Sequence, residues 1–217
     1  MKTLAPHRHR AFTAIDGLAV VAVVLFLLII LFPALVAYQR RNHHRNTCII
    51  SLEQIGMSFR IWQRDNNDKY PMNVPVALGG TREMIATGNV VVCFQVMSNE
   101  LATPKLLACS EDPQHPPYAA NFGDSLTPAN LSYFLALDAS ETNPQTILCG
   151  DDNLIQNRRP VFPGIVNLST SPATWTFNRH HGAGNILLGD GSVQPVTQIG
   201  FTSSVGTFFA TNRIVVP

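Results

Sequence analysis

The chain has 217 residues, 46% of them hydrophobic and only 13% charged, with a formal net charge of +1. So balanced a charge argues against a nucleic-acid binder, and the composition suits a small globule. Lys2, Arg8 and Arg10 precede a run that reads AFTAIDGLAVVAVVLFLLIILFPALVAYQRRNHHR from residue 11 to residue 45. Residues 17–37 carry no charge, and at about 1.5 Å rise each they cover the roughly 30 Å hydrocarbon layer of a bilayer. That run exceeds the h-region of a cleaved secretory signal, and Leu35 stands where a small residue is needed before a cut at Ala37, so a retained anchor is expected. Asp16, near the start of this helix, calls for a positive partner, or for headgroup water and the positive end of the helix dipole. Basic residues tie across the membrane, Lys2, Arg8 and Arg10 against Arg40, Arg41 and Arg45, so charge alone leaves the orientation open.

This segment resembles the class III signal of type IV pilins and type II secretion pseudopilins. Ala11, Phe12, Thr13, Ala14, Ile15 and Asp16 match the cut site and the Phe-Thr-Leu-Ile-Glu start of that family, and Pro33 falls where its helix is interrupted. The resemblance implies cleavage by a prepilin peptidase between Ala11 and Phe12 and methylation of the new amine. It also implies that Asp16 pairs with the N-terminus of a neighbouring subunit during assembly. Ala11 stands for the usual glycine and Asp16 for the usual glutamate. The implied orientation puts a leader of residues 1–11 in the cytoplasm, residues 12–38 in the bacterial inner membrane, and the rest in the periplasm. The cluster around Arg40, Arg41, His43, His44 and Arg45 then forms a snorkelling collar at the outer headgroups.

Beyond the membrane, Cys48, Leu52, Ile55, Phe59 and Trp62 recur at helical spacing, so residues 39–68 read as an amphipathic continuation of the same helix. Asp65, Asn66, Asn67, Asp68 and the Tyr70-Pro71 step supply its end. Cys48, Leu52, Gln54, Ile55 and Gly56 are similar to the stretch that follows the anchor in the large pseudopilin-like families of planctomycetes and verrucomicrobia. From Pro71 onward the chain holds 13 of its 15 prolines and alternates short β-rich runs with turn clusters. Strands are expected at residues 90–97, 131–137, 146–149, 174–177, 185–188 and 193–196. A periplasmic β-rich domain over residues 69–217 follows. The fold class is α+β, a long N-terminal helix packed on an antiparallel sheet, which is also the pilin architecture. The proline-rich residues 104–117 read as a recognition loop or an ordinary exposed one.

The segment from Asn185 to Gln194 reads as a hairpin, with Asp190-Gly191 supplying the positive φ of a tight primed turn. Arg179, His180, Gly182, Asn185, Asp190 and Gly191 resemble the H-x9-DG tail of the same planctomycete and verrucomicrobial families. His180, His181 and Asp190 are conceivable metal ligands, but no HExxH, CxxC pair or EF-hand loop accompanies them, and adjacent histidines in a strand face opposite ways. No cofactor is expected from the residues themselves. Some pseudopilins hold calcium in a C-terminal loop, and Asp151, Asp152 and Asp190 are the oxygen ligands this likeness would offer. Neither a GxSxG elbow nor a phosphate-binding glycine loop is present, so an enzyme is not expected. Of the four cysteines, Cys109 and Cys149 form the best disulfide pair, with Cys48 and Cys93 as core thiols; four free thiols is the rival.

These readings converge on a pseudopilin-like subunit of a type II secretion or type IV pilus-like system. Its implied partners are a prepilin peptidase, other pseudopilin subunits and the inner membrane. The alternatives are a permanently anchored periplasmic binding or sensing domain that is never processed or polymerised, and a metal-dependent hydrolase around His180 and Asp190.

Overall fold

The computed structural model describes residues 14–114, 117–140, 142–168, 173–197 and 213–217, and the side chains of all of these except residues 40–44. The expected cut at Ala11–Phe12 lies outside the described residues. The chain divides into two compact units, residues 1–43 and 44–217. One helix, α1 (Ala14–Asp65), runs from the first unit into the second.

In the first unit, the 26 residues Ala14–Gln39 form a segment long and apolar enough to cross a membrane, and none of its most apolar stretch is buried. Phe26, Ile29 and Phe32 are exposed with the rest, as the apolar surface of a lipid-facing helix would be. Asp16 stands in the first turn and Pro33 inside the helix. Proline has no N–H to give to the carbonyl four residues back, so the helical ladder loses one bond at Ile29.

In the second unit, α1 turns the expected face inward, and Cys48, Leu52, Ile55, Phe59 and Trp62 are all buried. The helix ends at Asp65, three residues before the expected limit. Asn66 Nδ2 donates to the Trp62 carbonyl at 2.7 Å, and Asn67 and Asp68 adopt left-handed backbone, φ 55° and 56°. Asparagine and aspartate tolerate that conformation better than other non-glycine residues, which is why the turn stops the helix there.

Among the described residues, six antiparallel strands make the main sheet, in the order β5-β9-β1-β2-β7-β8. They are β1 (Tyr133–Ala136), β2 (Ile147–Asp151), β5 (Gly164–Asn167), β7 (Ala183–Leu188), β8 (Val193–Thr197) and β9 (Arg213–Val216). A second, three-stranded sheet orders β4 (Arg159–Pro160), β3 (Leu154–Gln156) and β6 (Ala173–Trp175). Strands expected at residues 131–137, 146–149, 174–177, 185–188 and 193–196 therefore correspond to β1, β2, β6, β7 and β8. α1 lies on β7: a Cβ added at Gly56 would come within 2.7 Å of Leu187 Cδ1. Phe59 meets Tyr70 edge to face, centroids 5.7 Å apart, and the core around them includes Tyr133, Phe134 and Trp175.

Residues 90–97 are not a strand. They fold as the short helix α3 (Val91–Val96), between α2 (Arg82–Ile85) and α4 (Ser98–Leu101). Val91, Val92, Cys93 and Phe94 are all buried, and an unbroken apolar run covered on every side carries no periodicity that separates strand from helix. β3, β4, β5 and β9 were not expected. They are two to four residues long, too short for alternation to register.

Candidate functional site

The seven-residue turn between β6 and β7 carries the N-terminal half of the H-x9-DG segment. His180, His181 and Gly182 take left-handed backbone in succession, φ 50°, 55° and 80°, so the histidines lie in a turn and not in a strand. His180 is buried beneath the turn and His181 is exposed. Left-handed backbone at two histidines costs about 1–2 kcal/mol each, and the contacts that the turn makes offset it. The His180 N–H donates to Glu111 Oε2 at 3.1 Å, and His180 Nδ1 lies 2.7 Å from the same oxygen. On the other side of the ring, Nε2 sits 3.3 Å from Asp151 Oδ2 and 3.5 Å from Cys109 Sγ.

Arg179, one residue earlier, is the cation of the site. Its Nη1 donates to Asp152 Oδ1 at 2.8 Å and to the Ser132 carbonyl at 3.0 Å. Its Nη2 donates to Asp112 Oδ2, which also accepts from Ser132 Oγ at 2.8 Å. Asp151 Oδ1 is 4.0 Å away from Nη1, and Asp151 Oδ2 accepts from Asn185 N and Nδ2 at 2.7 and 2.9 Å. Four carboxylates thus gather about one guanidinium and one imidazole. Burial resists the charge on Arg179, yet Asp152, Asp151 and Asp112 together hold it above the ordinary value for arginine. Burial pushes the Asp152 carboxyl up to about 6; Arg179 opposes that rise and Asp112 adds to it. Isolated charges are expensive to bury, and pairing with further hydrogen bonds is what makes such a cluster tolerable.

The outer side of this cluster opens into a cleft of about 530 Å³, where Asp112, Asp152 and Arg179 meet Asn153, Leu131 and Leu154. Leu107, Cys109 and Asp112 are buried, so the middle of the proline-rich residues 104–117 is part of the core and not an exposed loop.

Cys48 is bonded to Cys109, Cα atoms 5.2 Å apart, and Cys93 and Cys149 are buried free thiols. The expected Cys109–Cys149 pair is corrected, as is its four-thiol rival. Cys149 lies in the middle of the sheet, opposite Leu135 on one side and Leu187 on the other, and burial raises its thiol well above the ordinary range. The same cause pushes Cys93 up to about 12. Cys48 heads the buried face of α1 and meets the segment that carries Glu111 and Asp112. Nothing local in the sequence brings together two residues that are 61 apart.

Asp190 and Gly191 are at the other end of β7. Leu188 N donates to the Ser192 carbonyl and Gly191 N to the Leu188 carbonyl, both at 2.9 Å. Gly191 has φ +81°, and Asp190 is absent from the left-handed residues. The connection is a three-residue loop closed by a left-handed glycine, not the expected two-residue primed turn. Ser192 Oγ and N donate to Asp190 Oδ1 at 2.6 and 2.8 Å, and the hydroxyl bond in particular holds that carboxyl below its ordinary value. Arg60 donates to the Asp190 carbonyl, and Tyr70 Oη donates to that of Gly189 at 3.0 Å. A Cβ at Gly191 would lie 3.0 Å from Nε of the exposed Arg60 side chain, which can give way, so it is the positive φ that favours glycine here.

Asp151 and Asp152 adjoin Arg179, whereas Asp190 bonds to Ser192 and Gln145, so the three aspartates do not form one oxygen-ligand set. His180 and Asp190 likewise stand at opposite ends of β7 and share no ligand geometry. Both ends nevertheless meet α1, one through Cys48 and Cys109, the other through Arg60. The twelve residues from Cys48 to Arg60 rise about 18 Å along a helix, close to the roughly 20 Å of a six-residue strand. The H-x9-DG spacing is therefore the length of β7 plus the two turns that fasten it to the helix. Glu111, Asp112 and Ser132 were missed from sequence; the acid pair two residues after Cys109 was the one signal of them. Compared with models of protein families, with curated proteins and with solved structures, the chain shows no significant match to any.

Proposed function

We propose that this chain is a pseudopilin-like subunit, inserted by the first part of α1, trimmed before Phe12 by a prepilin peptidase, and added to a short periplasmic filament. The observation that carries the reading is α1 itself. One helix of 52 residues joins an uncovered apolar segment, with an acid in its first turn and a proline inside, to a stripe of five side chains buried against an antiparallel sheet. The apolar segment needs lipid or other helices around it, and in this reading the acid in its first turn meets the freed amine of an adjoining copy during assembly. Mass spectrometry of the membrane-extracted protein is expected to show an N-methylated Phe12 at the amino terminus. An intact Met1 in cells with an active prepilin peptidase refutes the processing.

A second reading is a single-pass anchored binding domain, which the cleft beside Asp112, Asp152 and Arg179 favours. Cross-linking separates the two. Asp16→Ala is expected to abolish the ladder of cross-linked copies in the filament reading, and to leave every oligomeric contact unchanged in the anchored one.

A further inference from the structure

His180 Nε2 lies 3.5 Å from Cys109 Sγ and 3.3 Å from Asp151 Oδ2. The ligand atoms of Cys48, Cys109 and His180 all fall within 4.8 Å of one another, and all three residues are buried. Around a tetrahedral zinc ion, bonds of about 2.3 Å to sulfur and about 2.0–2.2 Å to nitrogen and oxygen place a sulfur roughly 3.5 Å and an oxygen roughly 3.4 Å from the nitrogen. Two edges of such a tetrahedron already exist here. The other side of the ring adds a separate indication. Nδ1 lies 2.7 Å from Glu111 Oε2, which places a carboxylate beside the ring nitrogen opposite the sulfurs, as carboxylates stand behind ligating histidines, while Nε2 also has Asn185 Nδ2 at 3.4 Å. Asp151 Oδ2 is steadied in turn by two bonds from Asn185.

We propose that the chain with its Cys48–Cys109 bond open holds one zinc-class divalent ion through Cys48 Sγ, Cys109 Sγ and His180 Nε2, with Asp151 Oδ2 or water in the fourth place. Disulfide and metal are then alternative staples of one junction, that of α1, the Glu111–Asp112 segment and the turn before β7. A dithiol reductant opens the bond: two electrons pass to the sulfurs, which take up two protons, and the donor leaves as its own disulfide. The ion displaces both protons as it binds two thiolates, and the sulfurs part to about 3.8 Å. Oxidation of the thiolates by a disulfide donor reverses the sequence and ejects the ion. Thiolates select zinc or copper(I) over calcium, so this site differs in kind from an oxygen-ligand site.

The test uses the full chain in detergent, reduced with a phosphine, freed of reductant without air, and titrated with Co²⁺ and then Zn²⁺. One Co²⁺ per chain is expected, with thiolate-to-cobalt charge-transfer absorption and tetrahedral d–d bands that stoichiometric Zn²⁺ removes. His180→Ala and Cys48→Ser should each lose this spectrum, Glu111→Gln should weaken the affinity about 10- to 100-fold, and Cys93→Ala with Cys149→Ala should leave it unchanged. Bound Zn²⁺ should slow re-formation of the Cys48–Cys109 bond about tenfold or more, read by alkylation and peptide mapping. A reduced wild-type chain without the charge-transfer band, a Cys48→Ser chain that keeps it, or oxidation indifferent to Zn²⁺ overturns the proposal. If reduction unfolds the chain, the near-ultraviolet dichroism of Trp62 and Trp175 becomes the readout. Its return on adding Zn²⁺ supports the site, and its absence at saturating Zn²⁺ overturns it.

Discussion

The two ends of β7 are fastened to the same helix by opposite means. At the His180 end the fastening is buried and charged: Arg179 and Asp151 are 5% and 0% exposed, and a disulfide closes over them. At the Asp190 end it is half exposed and open to water, a set of hydrogen bonds to the carbonyls of Gly189 and Asp190 from Tyr70 and Arg60. A buried charge cluster has no water to fall back on when one member is lost, whereas a surface turn exchanges a protein donor for a solvent one at small cost. The two halves of one sequence motif should therefore differ widely in their sensitivity to substitution.

Arg179→Ala should be the most damaging change. It leaves the buried Asp112 and the half-buried Asp152 without their cation, and a loss of about 3–5 kcal/mol is expected in denaturant unfolding of the detergent-solubilised chain. A loss below about 1 kcal/mol would show that water enters the cluster and would erase the contrast between the two ends.

The pH response is next in size. Asp152 has a folded-state carboxyl raised to about 6 from a reference of 3.8, so between those values the folded chain binds the proton more tightly than the unfolded one. Stability from this group is present below about pH 4 and falls as pH rises to about 6. The change is about 2 kcal/mol once the partial exposure of the side chain is discounted. Asp152→Asn should flatten that limb of the stability curve; a curve of unchanged slope would remove Asp152 as its source.

Gly191→Ala should be the mildest. Left-handed backbone costs an alanine about 1–2 kcal/mol, and the added methyl group also presses on Arg60. Thermal melts should shift by only a few degrees, and a collapse of the fold would mean that the Asp190 end carries as much as the other.

Elements with a clear period were legible in the chain. The stripe of Cys48, Leu52, Ile55, Phe59 and Trp62 announces a helix with one buried face because 3.6 residues per turn brings those positions together. β7 and β8 follow from two apolar runs and the Gly189-Asp190-Gly191 break between them. α3 was misread because a run buried on all sides has no polar face to set its period. The candidate site was half legible: Arg179 and His180 stand in a recognisable segment, but their partners Glu111, Asp112, Ser132 and Asp151 come from three other places in the chain.

What the sequence alone determined is the division between an apolar helix suited to lipid and a β-rich globule, together with the helix face that joins the globule. Both are questions of pattern over neighbouring residues, which local geometry answers. Only the tertiary structure decided which carboxylates surround Arg179, which cysteine Cys48 meets, and why His180 and Asp190 are ten residues apart. Those depend on contacts that close over 27 to 69 residues, where no local preference chooses the partner and only the packing of α1 along β7 brings the groups into reach.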